Sequence, residues 1–384
     1  MAEKTPLLER WGVTYLKRRA KSVTAIEAED EVHVLNPREQ AALRRVVRGV
    51  VARAALAGAL SALVSALAEL YADTFPVPVG DAIDWGYLAR YWGTIAIATV
   101  IASALELAFL YFDSLEGVHR LAVAAGLPLF DDRAEKSVVA SALARAALEL
   151  PNPIDTPYRL DPHRDVSKPR LLLITLLYKL KIGLTSFLLK TLLRRLLGRA
   201  LVRVWLVFVG VPVTAAWNAL VAWRVIREAR VRAMGPSAAH ELVGRLFGRH
   251  GPPSQALGVA ALRAVGACIV CSADLHPNLL ALFELVRERV PQSDADLGDV
   301  AALASGLREL TEAERRVVLA LLAIGVVLDG RLNRRERALF HRMRVALGLD
   351  PGDAALRDLH RAFLRGRPLD DALLERLTHA TRPQ

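Results

Sequence analysis

Apolar residues are concentrated in four long runs, and the chain beyond them alternates apolar and polar residues at helical spacing. A helix needs about 20 mostly apolar residues to cross a bilayer. Runs of this kind followed by amphipathic helices predict an all-α protein, in which a helical membrane domain precedes a soluble helical bundle. The runs are Val46–Leu70, Tyr91–Phe112, Leu171–Leu189 and Val204–Trp223.

The first two runs predict a transmembrane helical hairpin over 46–112. Tyr91–Phe112 contains a single charge, Glu106, and aromatic residues at both ends, which suit the headgroup level. Arginines precede Val46–Leu70 and aspartates follow it, so residues 1–45 are expected in the cytoplasm and the hairpin loop outside. The first run also places small residues four apart, which lets another helix approach closely. They are Ala54, Gly58, Ala62 and Ala66.

The other two runs, in segment 171–232, leave two topologies open. Lys179 and Lys181 offset the apolar residues of Leu171–Leu189, whereas Val204–Trp223 is uncharged but contains Pro212. Either both runs span the membrane, or the third is a basic helix on the membrane surface and the fourth is a re-entrant hairpin turning at 210–212. Both topologies return the C-terminus to the cytoplasm.

Two further segments have soluble character. Residues 113–170 are expected to be a cytoplasmic helical excursion that packs on the membrane domain or on the C-terminal bundle. The bundle is predicted over 240–384, where Val317–Leu328 is too short to span and suits a buried core helix. Two capping boxes mark helix starts there. They are Thr311 with Glu314, and Asn333 with Glu336.

One stretch of the bundle resembles the TerB-like (tellurite-resistance B) domains. An apolar helix ends in Asp329-Gly330, a short polar turn precedes Glu336, and the next helix closes with Leu-Gly-Leu at 347–349. The resemblance implies an all-helical domain with an internal two-fold repeat and a link to membrane stress responses. Residues 260–290 fit the earlier half, with Asp274 matched to Asp329 and no glycine after it.

Charge and reactive residues narrow the function classes. The net charge of +11 comes from cations crowded against the apolar runs, which favours a multi-pass protein of the bacterial inner membrane with anionic lipid at its basic segments. The sequence contains no basic stripe interleaved with aromatic residues, so it does not predict nucleic-acid binding. Cys268 and Cys271 lie within an apolar helix and are interpreted as core packing. We expect no enzyme activity or cofactor, because the sequence contains no glycine-rich phosphate loop, Walker motif or G-x-S-x-G motif. We expect no metal, because Asp329 and Glu336 offer fewer oxygens than a hard cation needs.

The candidate functional residues follow from these assignments: Glu106, Lys179, Asp329 and Glu336. The leading hypothesis is a membrane-anchored, non-enzymatic protein whose bundle binds a protein partner or senses envelope stress. The alternative is a small oligomeric transporter or channel component that uses Glu106 and Lys179, with the small residues of the first helix forming a homo-oligomer contact. A structural alternative places the Glu106 carboxylate at the interface or against an arginine.

Overall fold

The computed structural model describes residues 6–20, 34–77, 84–125, 138–150, 152, 203–248, 253–290 and 296–379, and all regular elements among them are α-helices. The Leu171–Leu189 run, including Lys179, lies outside the described residues. The helices are α1 (Leu7–Ala20), α2 (Pro37–Ala72), α3 (Trp85–Ala124), α4 (Val138–Ala147), α5 (Arg203–Gly248), α6 (Gln255–Ser272), α7 (Pro277–Arg289), α8 (Val300–Glu309), α9 (Glu312–Leu328), α10 (Arg334–Ala346), α11 (Asp353–Arg365) and α12 (Asp371–Thr378).

The chain divides into two compact units. The apolar unit comprises 44–120 and 167–226, and the bundle unit comprises 1–43, 121–166 and 227–384. The bundle unit therefore begins earlier than the predicted residue 240 and also takes in the N-terminal segment and much of the predicted excursion.

Apolar side chains lie on the outside of the apolar unit. In α3 the most exposed of them include Ile97, Val100 and Leu105, each more than 60% exposed. The small residues of α2 that were predicted to let another helix approach are buried inside the unit, and α5 approaches closely at Gly58. This is the reverse of a water-soluble protein, where large apolar side chains turn inward.

Three described helices, α2, α3 and α6, are long and apolar enough to cross a membrane. The helices differ in how much of them the protein covers. In the most apolar 18-residue stretch of each helix, 11% is buried inside the protein for α3 and 67% for α6. Since α6 is mostly enclosed by its own unit, its apolar composition is accounted for by the core of the bundle.

The predicted re-entrant hairpin at 210–212 is wrong, because α5 continues as one helix through Pro212. Proline removes one backbone hydrogen bond, the one to the carbonyl of Phe208 four residues earlier, and a long apolar helix tolerates the loss of a single bond.

The core of the bundle unit is α9, whose residues Val317–Leu328 are all buried, as predicted. Both predicted capping boxes are present, at Thr311 and at Asn333. At the N-terminal end of the chain, α1 packs on α4. Glu9 and Arg145 form a buried ion pair there, with Arg145 Nη2 2.7 Å from Glu9 Oε2.

Two helical hairpins, α6–α7 and α9–α10, repeat the same local geometry. Each turn contains one residue in the left-handed conformation, Ala273 (φ 53°) in the first and Gly330 (φ 71°) in the second. The N-cap residue of the next helix, His276 or Asn333, then follows three residues later. The turns therefore align Ser272 with Asp329, which corrects the sequence match of Asp274 to Asp329.

The two hairpins meet at equivalent positions, Cys268 of α6 and Gly325 of α9. A Cβ atom placed on Gly325 would lie 2.7 Å from the Cys268 Sγ, closer than real Cβ contacts. Cys268 is fully buried, in agreement with its assignment to core packing. The absence of a side chain at 325 is what lets α6 and α9 cross closely.

We predict that Gly325→Ala destabilises the bundle unit by about 1–3 kcal/mol, because the added methyl overpacks the helix crossing. Cys268→Ala in the same chain should recover much of this loss by removing the clashing sulfur. Hydrogen exchange of the α6 and α9 amides in the full-length, detergent-solubilised protein measures both effects.

Gly306→Ala is the matched control, since nothing lies within 4 Å of a Cβ atom at that position in α8. It should stabilise α8 by about 0.5–1 kcal/mol. Equal effects of the Gly306 and Gly325 substitutions would contradict the close crossing.

Candidate functional site

The bundle unit holds a polar cluster at its two hairpin turns, with the partly buried Glu228 of α5 at the centre. The Glu228 Oε1 atom lies 3.1 Å from the Arg232 Nε and 3.2 Å from the His276 Nε2. The Oε2 atom accepts a hydrogen bond from Arg331 Nη2 at 3.4 Å. One carboxylate thus joins α5 to the turns after α6 and α9.

Arg232 extends the cluster to segment 138–152. Its Nη1 donates to the Ala142 carbonyl oxygen at 2.9 Å, and its Nη2 donates to Asn152 Oδ1 at 3.0 Å. The Asn152 amide then donates to Asp274 Oδ1 at 2.8 Å. The sequence left open whether this segment packs on the membrane domain or on the C-terminal bundle. These hydrogen bonds join it to the bundle.

The protonation states in the cluster are consistent with its hydrogen bonds. Burial alone would raise the pKa of Glu228, but the hydrogen bond from His276 and the charges of Arg232 and Arg331 hold that pKa well below its usual range. Burial lowers the pKa of His276, which favours the neutral imidazole. The His276 Nδ1 accepts from the Asn278 backbone N–H, so the ring proton belongs on Nε2, facing Glu228.

Asp329 and Glu336, both singled out from the sequence, lie together at the second turn. Asp329 Oδ1 accepts from the Arg331 backbone N–H at 2.8 Å, and Glu336 Oε2 accepts from the Asn333 backbone N–H at 3.0 Å. Glu336 is fully buried, and its Oε1 has no hydrogen-bond partner among the described residues.

The two carboxyl groups share a desolvated environment. Burial, opposed by Arg331, raises the pKa of Asp329. Burial and the nearby Asp329 charge raise the pKa of Glu336 to about 8. The arrangement can retain a proton near neutral pH. Within the described ranges, no group of three or more histidine, cysteine or acidic side chains is placed to hold a metal ion.

Asn278 is a central residue that the sequence did not indicate. Its Nδ2 donates to the Leu328 carbonyl oxygen at 2.7 Å and to the Val231 carbonyl oxygen at 2.9 Å. It therefore satisfies a carbonyl at the end of α9 and ties α7 to α5. A Cβ atom on Gly235 would lie 2.0 Å from the Asn278 Cγ. An asparagine early in a helix carries no sequence signal for such a bridge.

Glu106 belongs to a separate buried pair in the apolar unit. Its Oε1 accepts a hydrogen bond from the Asn218 Nδ2 of α5 at 2.7 Å, and both residues are buried. The structural alternative drawn from the sequence placed this carboxylate at the interface or beside an arginine, whereas its hydrogen-bond donor is a neutral amide. The other predicted residue of this pathway, Lys179, lies outside the described residues.

We predict that Glu336→Gln makes the bundle unit more stable at pH 8 than the wild type, by about 1–3 kcal/mol. The raised pKa means that the unfolded chain loses its proton first. Wild-type stability should therefore fall as the pH rises from about 4.5 to about 8, and the glutamine variant should lack that part of the fall. Hydrogen exchange of the α10 amides, corrected for intrinsic exchange, measures the difference.

Glu314→Gln is the control, because Glu314 occupies the same capping-box position in α9 but is only partly buried, whereas Glu336 is fully buried. The pKa of Glu314 is lowered by hydrogen bonds from Ser254 and Thr311, so neutralising it should bring no gain at pH 8. A parallel pH dependence in the wild type and the Glu336 variant would rule out this account of Glu336.

No family model, curated protein or solved structure matches this chain.

Proposed function

We propose that the chain is a membrane-anchored, non-enzymatic interaction protein, with α2 and α3 as a transmembrane hairpin and the bundle unit as a cytoplasmic binding module. The observation that carries the proposal is the exposed apolar surface of α2 and α3. Leu56, Leu60 and Leu67 of α2 are each about half exposed or more. Lipid is the solvent that accommodates such a surface while small and polar residues face inward.

The direction of the hairpin rests on charge. Arg44, Arg45 and Arg48 lie at the start of α2, and the loop between α2 and α3 contains aspartates. Cations concentrate on the cytoplasmic side of bacterial inner-membrane proteins. We therefore propose that the N-terminus, and the bundle unit that includes it, lie in the cytoplasm.

The binding surface that we assign to the bundle is the basic face of α10, defined by Arg334, Arg335, Ala338, Arg342 and Val345, all of them exposed. The only acidic residue of α10, Glu336, is buried. A helix face with exposed arginines and no acid favours an acidic partner. We propose an acidic segment of a protein, and the TerB-like resemblance makes envelope stress the setting in which that partner would act.

A second candidate function, a small oligomeric transporter or channel component, is favoured by one observation. Glu106 and Asn218 place a carboxyl group and an amide together, in stretches of α3 and α5 that contain no other charged residue, 91–112 and 204–223. Ionisable groups at such positions frequently mark ion or proton paths.

We predict opposite labelling of two single-cysteine variants by a membrane-impermeant maleimide. In a Cys268→Ala, Cys271→Ser background, Val77→Cys between α2 and α3 should react in intact bacterial cells. Ser305→Cys in α8 should react only after lysis. Both positions are exposed in the structure, so access to each thiol is controlled by the membrane alone.

Equal labelling of the two variants in intact cells, or labelling of Ser305→Cys alone, would overturn the proposed anchor and its direction. Denatured samples provide the control for intrinsic reactivity of each thiol.

We predict that a photo-crosslinking amino acid at Ala338 captures an acidic protein in cells, and that Arg335→Glu with Arg342→Glu lowers the yield about tenfold by reversing the surface charge. The same amino acid at Ala301, exposed at the start of α8, is the positional control. Mass spectrometry identifies the adducts.

Two outcomes would contradict the assigned surface. One is the same protein adduct from Ala301 as from Ala338. The other is adducts with lipid only, which would assign the basic face to anionic headgroups.

A further inference from the structure

Glu106 is isolated from other charges along the described helices that surround it. No other charged side chain occurs between Arg53 and Glu69 in α2, between Arg90 and Asp113 in α3, or between Arg203 and Arg224 in α5. Two of these, Arg53 and Asp113, pair with each other, with Arg53 Nε 2.6 Å from Asp113 Oδ1. The Glu106 carboxyl group therefore has no protein counter-charge within these described helices.

The contact between Glu106 and Asn218 depends on a close approach of α5 to α2. A Cβ atom on Gly58 would lie 2.6 Å from the Asn218 Nδ2 and 2.8 Å from the Thr214 carbonyl oxygen, so only glycine leaves room there. This approach holds the Asn218 amide in position to donate to Glu106 Oε1. Asn218 and Thr214 are both more than nine-tenths buried.

Two buried oxygens of the apolar unit that lack hydrogen-bond partners among the described residues are relevant to this contact. They are the Glu106 Oε2 and the Ser61 Oγ, the latter on the buried face of α2 one turn beyond Gly58. Glu106 itself is 8% exposed. A single hydrogen bond from a neutral amide does not compensate a full negative charge removed from water. The Glu106 Oε2, a carboxylate oxygen without a partner, therefore points to a positively charged ligand.

We propose that Glu106 and Asn218 form a binding site for one monovalent cation, either a proton or a small alkali metal ion, inside the apolar unit. Both guests act through the same chemistry, which is neutralisation of the buried carboxylate at its free Oε2. Asn218 is a positioning residue: its amide orients the carboxyl group through Oε1 and leaves Oε2 for the cation. The inference rests on the proposed membrane location, because lipid surroundings are what deny Glu106 a hydrating shell.

Dicyclohexylcarbodiimide, an apolar reagent that modifies protonated carboxyl groups in membranes, tests the site. The acid proton transfers to a reagent nitrogen, the carboxylate oxygen adds to the central carbon, and the acyl group then shifts to nitrogen as a stable N-acylurea. Full-length protein in lipid vesicles is treated at several pH values, with sodium, lithium or choline chloride at equal ionic strength. Peptide mass spectrometry locates the adducts.

We expect Glu106 to be modified about tenfold faster or more than Glu116, an ion-paired glutamate near the end of α3. Glu106→Gln should abolish the adduct, and Glu116→Gln should leave it unchanged. Asn218→Leu should alter the rate at Glu106 by releasing Oε1. Gly58→Ala, which forces Asn218 to move, should act in the same way.

The salt series distinguishes the guests. Modification that increases with acidity and is equal in sodium and choline assigns a proton. Protection by sodium or lithium, but not choline, assigns an alkali metal ion.

Two results would overturn the proposal. One is no preference for Glu106 over Glu116. The other is a modification rate that rises about tenfold in Lys179→Leu, which would assign the positive charge to the protein itself. The cysteine-labelling experiment reports the membrane anchor independently, so failure of the cation site and failure of the anchor are distinguishable.

Discussion

The organisation of this protein depends on one constraint, the removal of its apolar side chains from water. More than half of the residues are hydrophobic, yet the chain carries a net charge of +11. The two units meet this constraint in opposite ways. In the bundle unit, α6 and α9 bury their apolar residues against each other, with Cys268 against Gly325 at the crossing. In the apolar unit the large side chains of α3 face outward and the small residues of α2 face inward.

The same constraint governs the buried polar groups. The bundle unit surrounds Glu228 with two arginines and a neutral histidine, so that carboxylate remains charged. For Asp329 and Glu336 the cost of burying a charge exceeds the stabilisation from hydrogen bonds and Arg331. Their pKa values are raised as a consequence. Glu106 has one amide donor and no counter-charge on the described parts of its neighbouring helices.

Turn geometry decides how the two hairpins of the bundle correspond. By sequence, Asp274 and Asp329 look equivalent because each is an acid at the end of an apolar helix. The structure aligns Ala273 with Gly330, because these residues occupy the left-handed conformation in their turns. Glycine adopts that conformation without strain and alanine does so at a cost of about 1 kcal/mol. An alanine can therefore occupy, in the first turn, the position that a glycine fills in the second.

The sequence alone determined the helical class, the apolar helices, both capping boxes and the burial of 317–328, since these depend on periodicity and on contacts within four residues. It predicted Asp329 and Glu336 as a pair because they share one turn. Only the tertiary structure decided that α5 continues through Pro212, that Asn278 bridges α5 and α9, and that Glu106 meets Asn218. Those contacts join residues far apart in the chain, and no local pattern encodes which distant side chain will satisfy a buried polar atom.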